Sequence, residues 1–535
     1  MVSILCVGLP ETAAVQGKKG HATNLNFLIF VVDAMRASWL GCAGHRLVKT
    51  PHLDALAARG VRFERAYCNH PICMPARATL LTGLMPRDHG VWSNGMEIHP
   101  RIPTLPQRLL AAGYRTASVG KLHYSRWIPD PETPTVRTES LPGWNDGGIT
   151  QVPLPYYGFE HVDMVGGHGD FVFGPYRHWL AEQSPKATRL LTPQGAREPP
   201  SGTPWCWKMG LPEEWHYNRW IADRTIAYLQ GATTAAAPWF VWCSFPDPHM
   251  PFAPPAPYCD WYRPEDVAPP VRADDELDRL PPFYKAMFEG RMDSFGCPGG
   301  PLPDRAWQEM TALSLGMVSH VDAEIGRVLQ ALDQSGQREN TTVLFLSDHG
   351  SDLLGDHWMR SFGSFAFEQA VRIPLIVSAP GTRRGVVERG LVSQIDVVPT
   401  VLDLAGVSLP NGNAKGSGDE PRHAQCAPIR TVPGRSLGPV LRGGSVVDPL
   451  RSVLIENEEP FLGLNSRTLV TVRYKLTVYG GQTFGELFDL ESDPQELRNL
   501  WDEPGAATLK TRLLQGVLER ELDLFAWQPL PRATA

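Results

Sequence analysis

Between Asn26 and Val32 the chain reads Asn-Phe-Leu-Ile-Phe-Val-Val, a nearly continuous apolar run rich in β-branched residues. Without alternation, such a run predicts a strand buried on both faces. Strands are also predicted at Tyr114–Val119, Trp239–Phe245, Thr342–Leu346 and Ile373–Val377. Helical patterns lie between them. Thr50-Pro51 opens one helix with a capping hydroxyl and a proline in the first turn, Gly60 closes it, and Leu53, Leu56 and Ala57 form its buried face. Another follows Thr104 and stops at Gly113, and two more are predicted around Trp215–Leu229 and Trp307–Leu332. Strands alternating with helices imply an α/β fold, a mainly parallel central sheet with helices on both faces.

The remaining segments lack this rhythm. Residues 1–24 read as a leader, and residues 124–214 as a variable insertion over one face, rich in Pro, Gly and aromatics. Loops this long in compact domains usually serve as lids or binding loops. Residues 409–434 read as a linker loop. Beyond it, Ser452–Ile455, Thr468–Tyr479 and Glu486–Leu490 predict short antiparallel strands, followed by a helix at about 505–525. The expected organisation is a catalytic domain over 25–445 and a small C-terminal α+β subdomain over 446–535.

Composition narrows the function classes. Among 535 residues, 50 basic and 57 acidic side chains give a net charge of −7. That balance argues against a nucleic-acid partner, whose affinity rests on clustered Lys and Arg. No apolar run approaches the roughly 18 residues that span a bilayer, so no membrane association is expected. Nine scattered cysteines without a Cys-x-x-Cys pair fit neither a disulfide framework nor a zinc site. A cytoplasmic location is the expectation, and an oligomer is compatible with it.

Polar groups converge where the predicted strands end. Asp33, Lys121 with His123, Asp247 with His249, and Asp348 with His349 each follow a strand. Ligands of parallel α/β sheets bind at the carboxyl ends of the strands. Asp33, Asp348 and His349 are a reasonable divalent-metal set. Taken singly, each could be a buried group satisfied by its neighbours. The set as a whole points to chemistry. His320 and Asp322 are expected to be packing or helix-face residues, and the tryptophans of 127–258 core and lid packing.

Cys73-Met-Pro75-Ala-Arg77, followed by Ala78-Thr-Leu-Leu-Thr-Gly83, resembles the sulfatase family of the alkaline-phosphatase-like superfamily. Members carry Cys or Ser-x-Pro-x-Arg, whose first residue is oxidised to formylglycine. The resemblance extends to Thr50-Pro-His-Leu-Asp54, Gly120-Lys-Leu-His123, Asp247-Pro-His249, Ser347-Asp-His-Gly350 with Gly355-Asp-His357, Arg473-Tyr-Lys475, and Glu486-Leu-Phe-Asp-Leu490 with Asp493-Pro494 and Asn499-Leu500. It implies a sulfuric ester hydrolase of arylsulfatase type with one divalent metal, calcium before manganese or magnesium, held by Asp33, Cys73, Asp348 and His349. A formylglycine-generating enzyme is implied as the maturation partner, and a small sulfated ester as the substrate.

The same resemblance distributes roles. The hydrated aldehyde at position 73 is the nucleophile, with one hydroxyl on the metal. Arg77 and Lys121 neutralise the transferring anion, His249 or Lys121 protonates the leaving oxygen, and His123 is the base that releases sulfate. Asn94 corresponds to a polar substrate contact of relatives. Two departures stand out. Ala34 occupies the place of a second carboxylate. Counting back from Phe367-Glu368, the lysine that contacts the anion in relatives falls on Gly363, with Arg360 as its nearest replacement. The alternatives are a phosphonate monoester or phosphodiester hydrolase using the same site, and a non-catalytic anion-binding protein.

Overall fold

The run after Leu25 forms the axis of the molecule because it can bury both faces. The computed structural model describes residues 25–129, 137–232, 237–292, 300–363, 365–408, 432–444, 451–459 and 463–524. The expected leader and most of the expected linker lie outside them. Eight strands make the central sheet: β1 Asn26–Val32, β2 Val61–Tyr67, β3 Arg115–Gly120, β4 His161–Met164, β5 Trp239–Phe245, β6 Thr341–Ser347, β7 Arg372–Ser378 and β8 Val386–Ser393. Their order is β4-β3-β5-β1-β6-β7-β2-β8. β7 runs antiparallel to both neighbours and the other seven run one way.

Alternate residues of β1 face two different cores. Leu28, Phe30 and Val32 pack with the helices Tyr217–Ala232 and Asp304–Gln334, whereas Phe27, Ile29 and Val31 pack with Cys73–Thr82, Leu105–Ala111 and Val397–Leu404. This period of two on a doubly covered sheet is why the strand shows no polar face. In register, Val32 lies opposite Phe245 on one side and Ser347 on the other, and Gly120 lies opposite Ser244. The carboxyl ends of β3, β5, β1 and β6 therefore finish in one row.

A second sheet, order β12-β11-β10-β9, is antiparallel: β9 Val453–Glu459, β10 Leu464–Val470, β11 Tyr474–Tyr479 and β12 Gly485–Asp489. The helix Ala507–Asp523 follows it. The single strand expected over Thr468–Tyr479 is divided between β10 and β11 by a turn closed by Thr471 N–H to the Tyr474 carbonyl at 2.8 Å. Lys475 of β11 ties this sheet to the main body. Its Nζ meets Glu368 at 3.1 Å and Glu496 at 2.5 Å, and Lys475 and Glu496 are each 1% exposed.

One local expectation fails. The Thr50 hydroxyl does not cap the helix Pro51–Ala58; it accepts from Gly41 N–H and donates to Asp54. The cap arrives from another helix. Asp322 accepts the N–H groups of His52 at 3.2 Å and Leu53 at 2.8 Å, and is 1% exposed. Asp322→Ala leaves those buried donors unpaired and is expected to lower stability by about 1–3 kcal/mol, read as an earlier denaturation midpoint, with Asp322→Asn milder.

Candidate active site and metal centre

Four ligand-type residues meet at the row of strand ends. Asp33 follows β1, Asp348 and His349 follow β6, and Cys73 begins the helix Cys73–Thr82 that comes after β2. One ligand atom from each lies within 4.8 Å of all the others, and all four residues are buried. The Cys73 Sγ is 3.2 Å from His349 Nε2 and 3.5 Å from Asp33 Oδ1. His349 Nδ1 lies 2.7 Å from the Gly350 carbonyl, which only accepts, so the Nε2 facing the cluster is the ligating nitrogen.

The carboxylates are held by backbone and by cations. Asp348 Oδ1 accepts the N–H of Ala34 at 3.1 Å and of His349 at 2.8 Å. Arg77 Nε donates to Asp348 Oδ2 at 2.7 Å, and its Nη1 binds the Lys121 carbonyl at 3.1 Å and Ser244 Oγ at 2.9 Å. Arg77 Nη2 is 3.8 Å from Asp33, and the Lys121 ammonium binds Asp33 directly. All of these side chains have no exposed surface. Burial alone would push Asp33 up, but Lys121, His249 and Arg77, with the His349 hydrogen bond, hold it well below the carboxylate range. Burial, with Asp33 alongside, pushes Asp348 up. Burial disfavours a charged His349, yet Asp348, Cys73 and Asp33 outweigh it and raise the imidazole well above its ordinary value. Burial also raises the Cys73 thiol. A donor set negative enough to draw protons onto its own imidazole suits a divalent cation, and Arg77 Nη2, buried without a hydrogen-bond partner, points to a further anion at the same place.

The other two predicted histidines stand in a wall of rings. His123 stacks on Trp127 at 3.8 Å, and His249 lies 5.3 Å from Phe362, which is 4.6 Å from His349. Lys121 lies 5.1 Å over the Trp127 ring. Burial lowers both imidazoles, His249 to about 4 and His123 well below its ordinary value, with Lys121 repelling their protons further. His249 Nδ1 faces the Met250 carbonyl at 2.6 Å, so its Nε2 carries the free lone pair.

Other expectations fare differently. Asn94 is exposed and its Oδ1 accepts the Met74 N–H at 3.1 Å, so its carbonyl caps the Cys73 helix from outside. Arg360 sits 5.7 Å from the Trp205 ring and 5.8 Å from that of Trp307. Gly363 has φ 91°, a left-handed value that a lysine would adopt only with strain, and its carbonyl accepts from Asn457 at 2.7 Å. Asp356 and His357 are engaged outside the cluster, with Arg36 at 2.9 Å and Glu276 at 2.5 Å.

Two residues escaped the sequence reading. Glu139 accepts the backbone N–H groups of His123, Tyr124 and Ser125 at 2.7, 2.9 and 3.2 Å, fixing a turn in which His123 has φ 60°. His168 stacks on His249 at 3.8 Å. Both come from the insertion. The signal for His168 was its place just after a strand, in Gly166-Gly-His-Gly169.

A second buried group, His216, Asp247 and His320, has its lone pairs committed. His216 Nδ1 accepts the Asn218 N–H at 3.2 Å, Tyr217 and Asn218 donate to the two oxygens of Asp247, and Asn218 Nδ2 lies 3.4 Å from His320 Nδ1. Imidazoles accepting at Nδ1 carry their proton on Nε2, which makes them donors there rather than ligands. This network holds Asp247, two residues before His249.

A sheet edge that gathers a cation site, two buried cations and neutral imidazoles suits displacement at a tetrahedral anion. The sulfatase family model matches residues 25–407. The chain belongs to the sulfatase family. It is 28% identical over 488 residues to an arylsulfatase of Clostridium perfringens, covering 89% of this chain and 90% of that protein. It is 29% identical over 531 residues to the multifunctional alkaline phosphatase superfamily protein PehA of Trinickia caryophylli, covering 94% and 96%. Among solved structures, the phosphonate monoester hydrolase of Agrobacterium radiobacter superposes with a TM-score of 0.76 at 26% identity, covering 94% of this chain and 96% of that one.

Removing Arg77 strands two buried carboxylates. Arg77→Ala is expected to lower stability by about 3–5 kcal/mol, measured by chemical denaturation, and Arg77→Lys to recover only part of it because the fork to Asp348, Ser244 and the Lys121 carbonyl is lost.

Proposed function

We infer that this protein hydrolyses a sulfuric ester with a nucleophile made from Cys73. The observation that carries the reading is the meeting of Cys73, Asp33, Asp348 and His349 within 4.8 Å, with Arg77 and Lys121 neutralising the carboxylates. Membership of the sulfatase family and the arylsulfatase relative support sulfate as the transferred group. Asp33, Asp348, His349 and residue 73 would hold one divalent cation, calcium on the family resemblance, which when bound neutralises charge and acidifies an oxygen nucleophile. Formylglycine at position 73, made by a formylglycine-generating enzyme, would on adding water offer two hydroxyls on one carbon, one to attack and one to drive release.

The chain's own groups do the rest. Arg77 and Lys121 draw the anion to the cluster and hold it against the helix start, where the backbone dipole favours negative charge. The Lys121 ammonium is the donor we favour for the leaving oxygen. His249, kept neutral by burial and presenting a lone pair, is an acceptor until an anion charges it. His123, neutral and oriented by Glu139, is the base. Asn94 holds the helix start and offers its amide nitrogen to the substrate. Arg360, engaged with Trp205 and Trp307, serves the outer part of the site. We retain residues 25–445 as the catalytic unit and 446–535 as a subdomain. The six cysteines within the described residues are free thiols, which supports a reducing compartment, and no described helix is long and apolar enough to cross a membrane.

A second reading, phosphonate monoester hydrolysis, is favoured by the Agrobacterium radiobacter structure. Gly120-Lys-Leu-His123 supports sulfate instead. Rates on an aryl sulfate and an aryl phosphonate decide between them, and a faster phosphonate reaction would reverse the assignment.

Peptide mass spectrometry on tryptic Ala66–Arg77 from the native host is expected to find the Cys73 thiol converted to aldehyde. Cys73→Ala is expected to abolish turnover while leaving the denaturation midpoint within about 1 kcal/mol of the native protein, and full residual activity would sink the mechanism. Dialysis against a chelator should remove activity, and calcium should restore it.

A further inference from the structure

The wall of rings extends one member past the groups assigned above. β4 lies beside β3 in parallel register, with Met164 opposite Gly120, so its carboxyl end opens onto the same row as Lys121 and His123. The chain leaves β4 through Gly166-Gly167-His168-Gly169. A Cβ on Gly169, at φ 56°, would stand 2.3 Å from Pro251 Cγ, so only glycine permits the close approach to the segment after His249. That approach lays the His168 ring on the His249 ring at 3.8 Å and 26°. His168 is also 6.0 Å from Trp127, which stacks on His123. From the cation site outward the rings run His349, Phe362, His249, His168.

Three atoms of this wall are buried and have no protein partner: His123 Nδ1, Trp127 Nε1 and His168 Nδ1. Burying polar atoms unpaired is costly, and three on neighbouring rings call for a ligand that completes them. The indole N–H only donates. Burial, with His249 and Lys121 nearby, holds His168 well below its ordinary value, so the imidazole is neutral. The unpartnered Nδ1 of a neutral imidazole gives or takes one hydrogen bond according to its tautomer. A ligand hydroxyl both gives and takes a hydrogen bond, whereas a bare aryl ring does neither.

We propose that His168 and Trp127 form the subsite for the alcohol half of the ester and select alcohols that carry further hydroxyls, of the sugar or polyol type. This rests on the sulfate-ester reading above. With sulfur at the Cys73 cluster and the leaving oxygen at Lys121 and His249, the next ring outward belongs to the alcohol. His168 is a specificity residue, separate from the bond-breaking groups.

The test uses the matured full-length protein with 4-nitrophenyl sulfate and the 2-, 3- and 6-sulfates of glucose. His168→Phe keeps the stacked ring and removes its polar nitrogens. Trp127→Phe removes the donor and gives an independent reading should the first variant misfold. The expected result is turnover of at least one glucose sulfate by the native protein, and a tenfold or greater fall in the glucose-to-aryl ratio of kcat/KM in each folded variant, carried mainly by KM. An unchanged ratio, with both substrates falling in parallel, overturns the proposal in favour of a packing role. Native protein that cleaves the aryl sulfate but no glucose sulfate overturns it and leaves the sulfatase reading standing. Native protein with a confirmed aldehyde at position 73 that cleaves none of the sulfates overturns both.

Discussion

Two carboxylates, Asp33 and Asp348, lie side by side with no exposed surface, and the active site depends on what makes that tolerable. Burying like charges together costs several kcal/mol per ion unless cations and hydrogen bonds offset it. Arg77 bridges the pair, Lys121 binds Asp33, and the amides of Ala34 and His349 cover Asp348. Apart from the His349 amide, none of these groups is close to its partner in sequence. The parallel sheet brings them together by ending β3, β1 and β6 in one row, and the apolar strands keep water from screening the charges. The same dryness that makes the cluster expensive makes it strong towards an incoming anion.

Around this charged centre the protein separates duties. Strand ends carry the groups that hold charge. The insertion carries groups that buttress them: Glu139, which sets the His123 turn, and His168, which lies against His249. Because β4 belongs to the main sheet, the insertion is anchored where it matters and free to vary elsewhere. Phe362 packs between His249 and His349.

Much of this was legible in the sequence because a strand buried on both faces carries no charge within it until it ends. β1, β3, β5, β6 and β7 announced themselves in that way, and so did Asp33, Lys121 and Asp348 just beyond them. β2 and β8 lie near one sheet edge and β4 forms the other. With one face half-exposed, sequences such as Val-Arg-Phe-Glu-Arg-Ala-Tyr carry charges and lose the signal. Glu139 was invisible because a carboxylate binding backbone amides leaves no pattern. The capping role given to Thr50 failed for a related reason, since Asp322 does that work from more than 250 residues away. Gly363 was read as the place of a missing lysine, and its left-handed φ of 91° means that a lysine there would be strained.

The register of β1 also governs the order in which the molecule can assemble. Phe27 pairs with Phe240 on one edge and Thr342 on the other. β1 is therefore made more than 300 residues before β6 closes its second edge. Contacts this distant in sequence close slowly, and an unpaired apolar edge invites association with other chains. During synthesis the most buried element of the finished protein is for a time its most exposed liability. Yield in a foreign host is then governed less by the stability of the folded state than by how well the nascent chain is sheltered until β6 arrives.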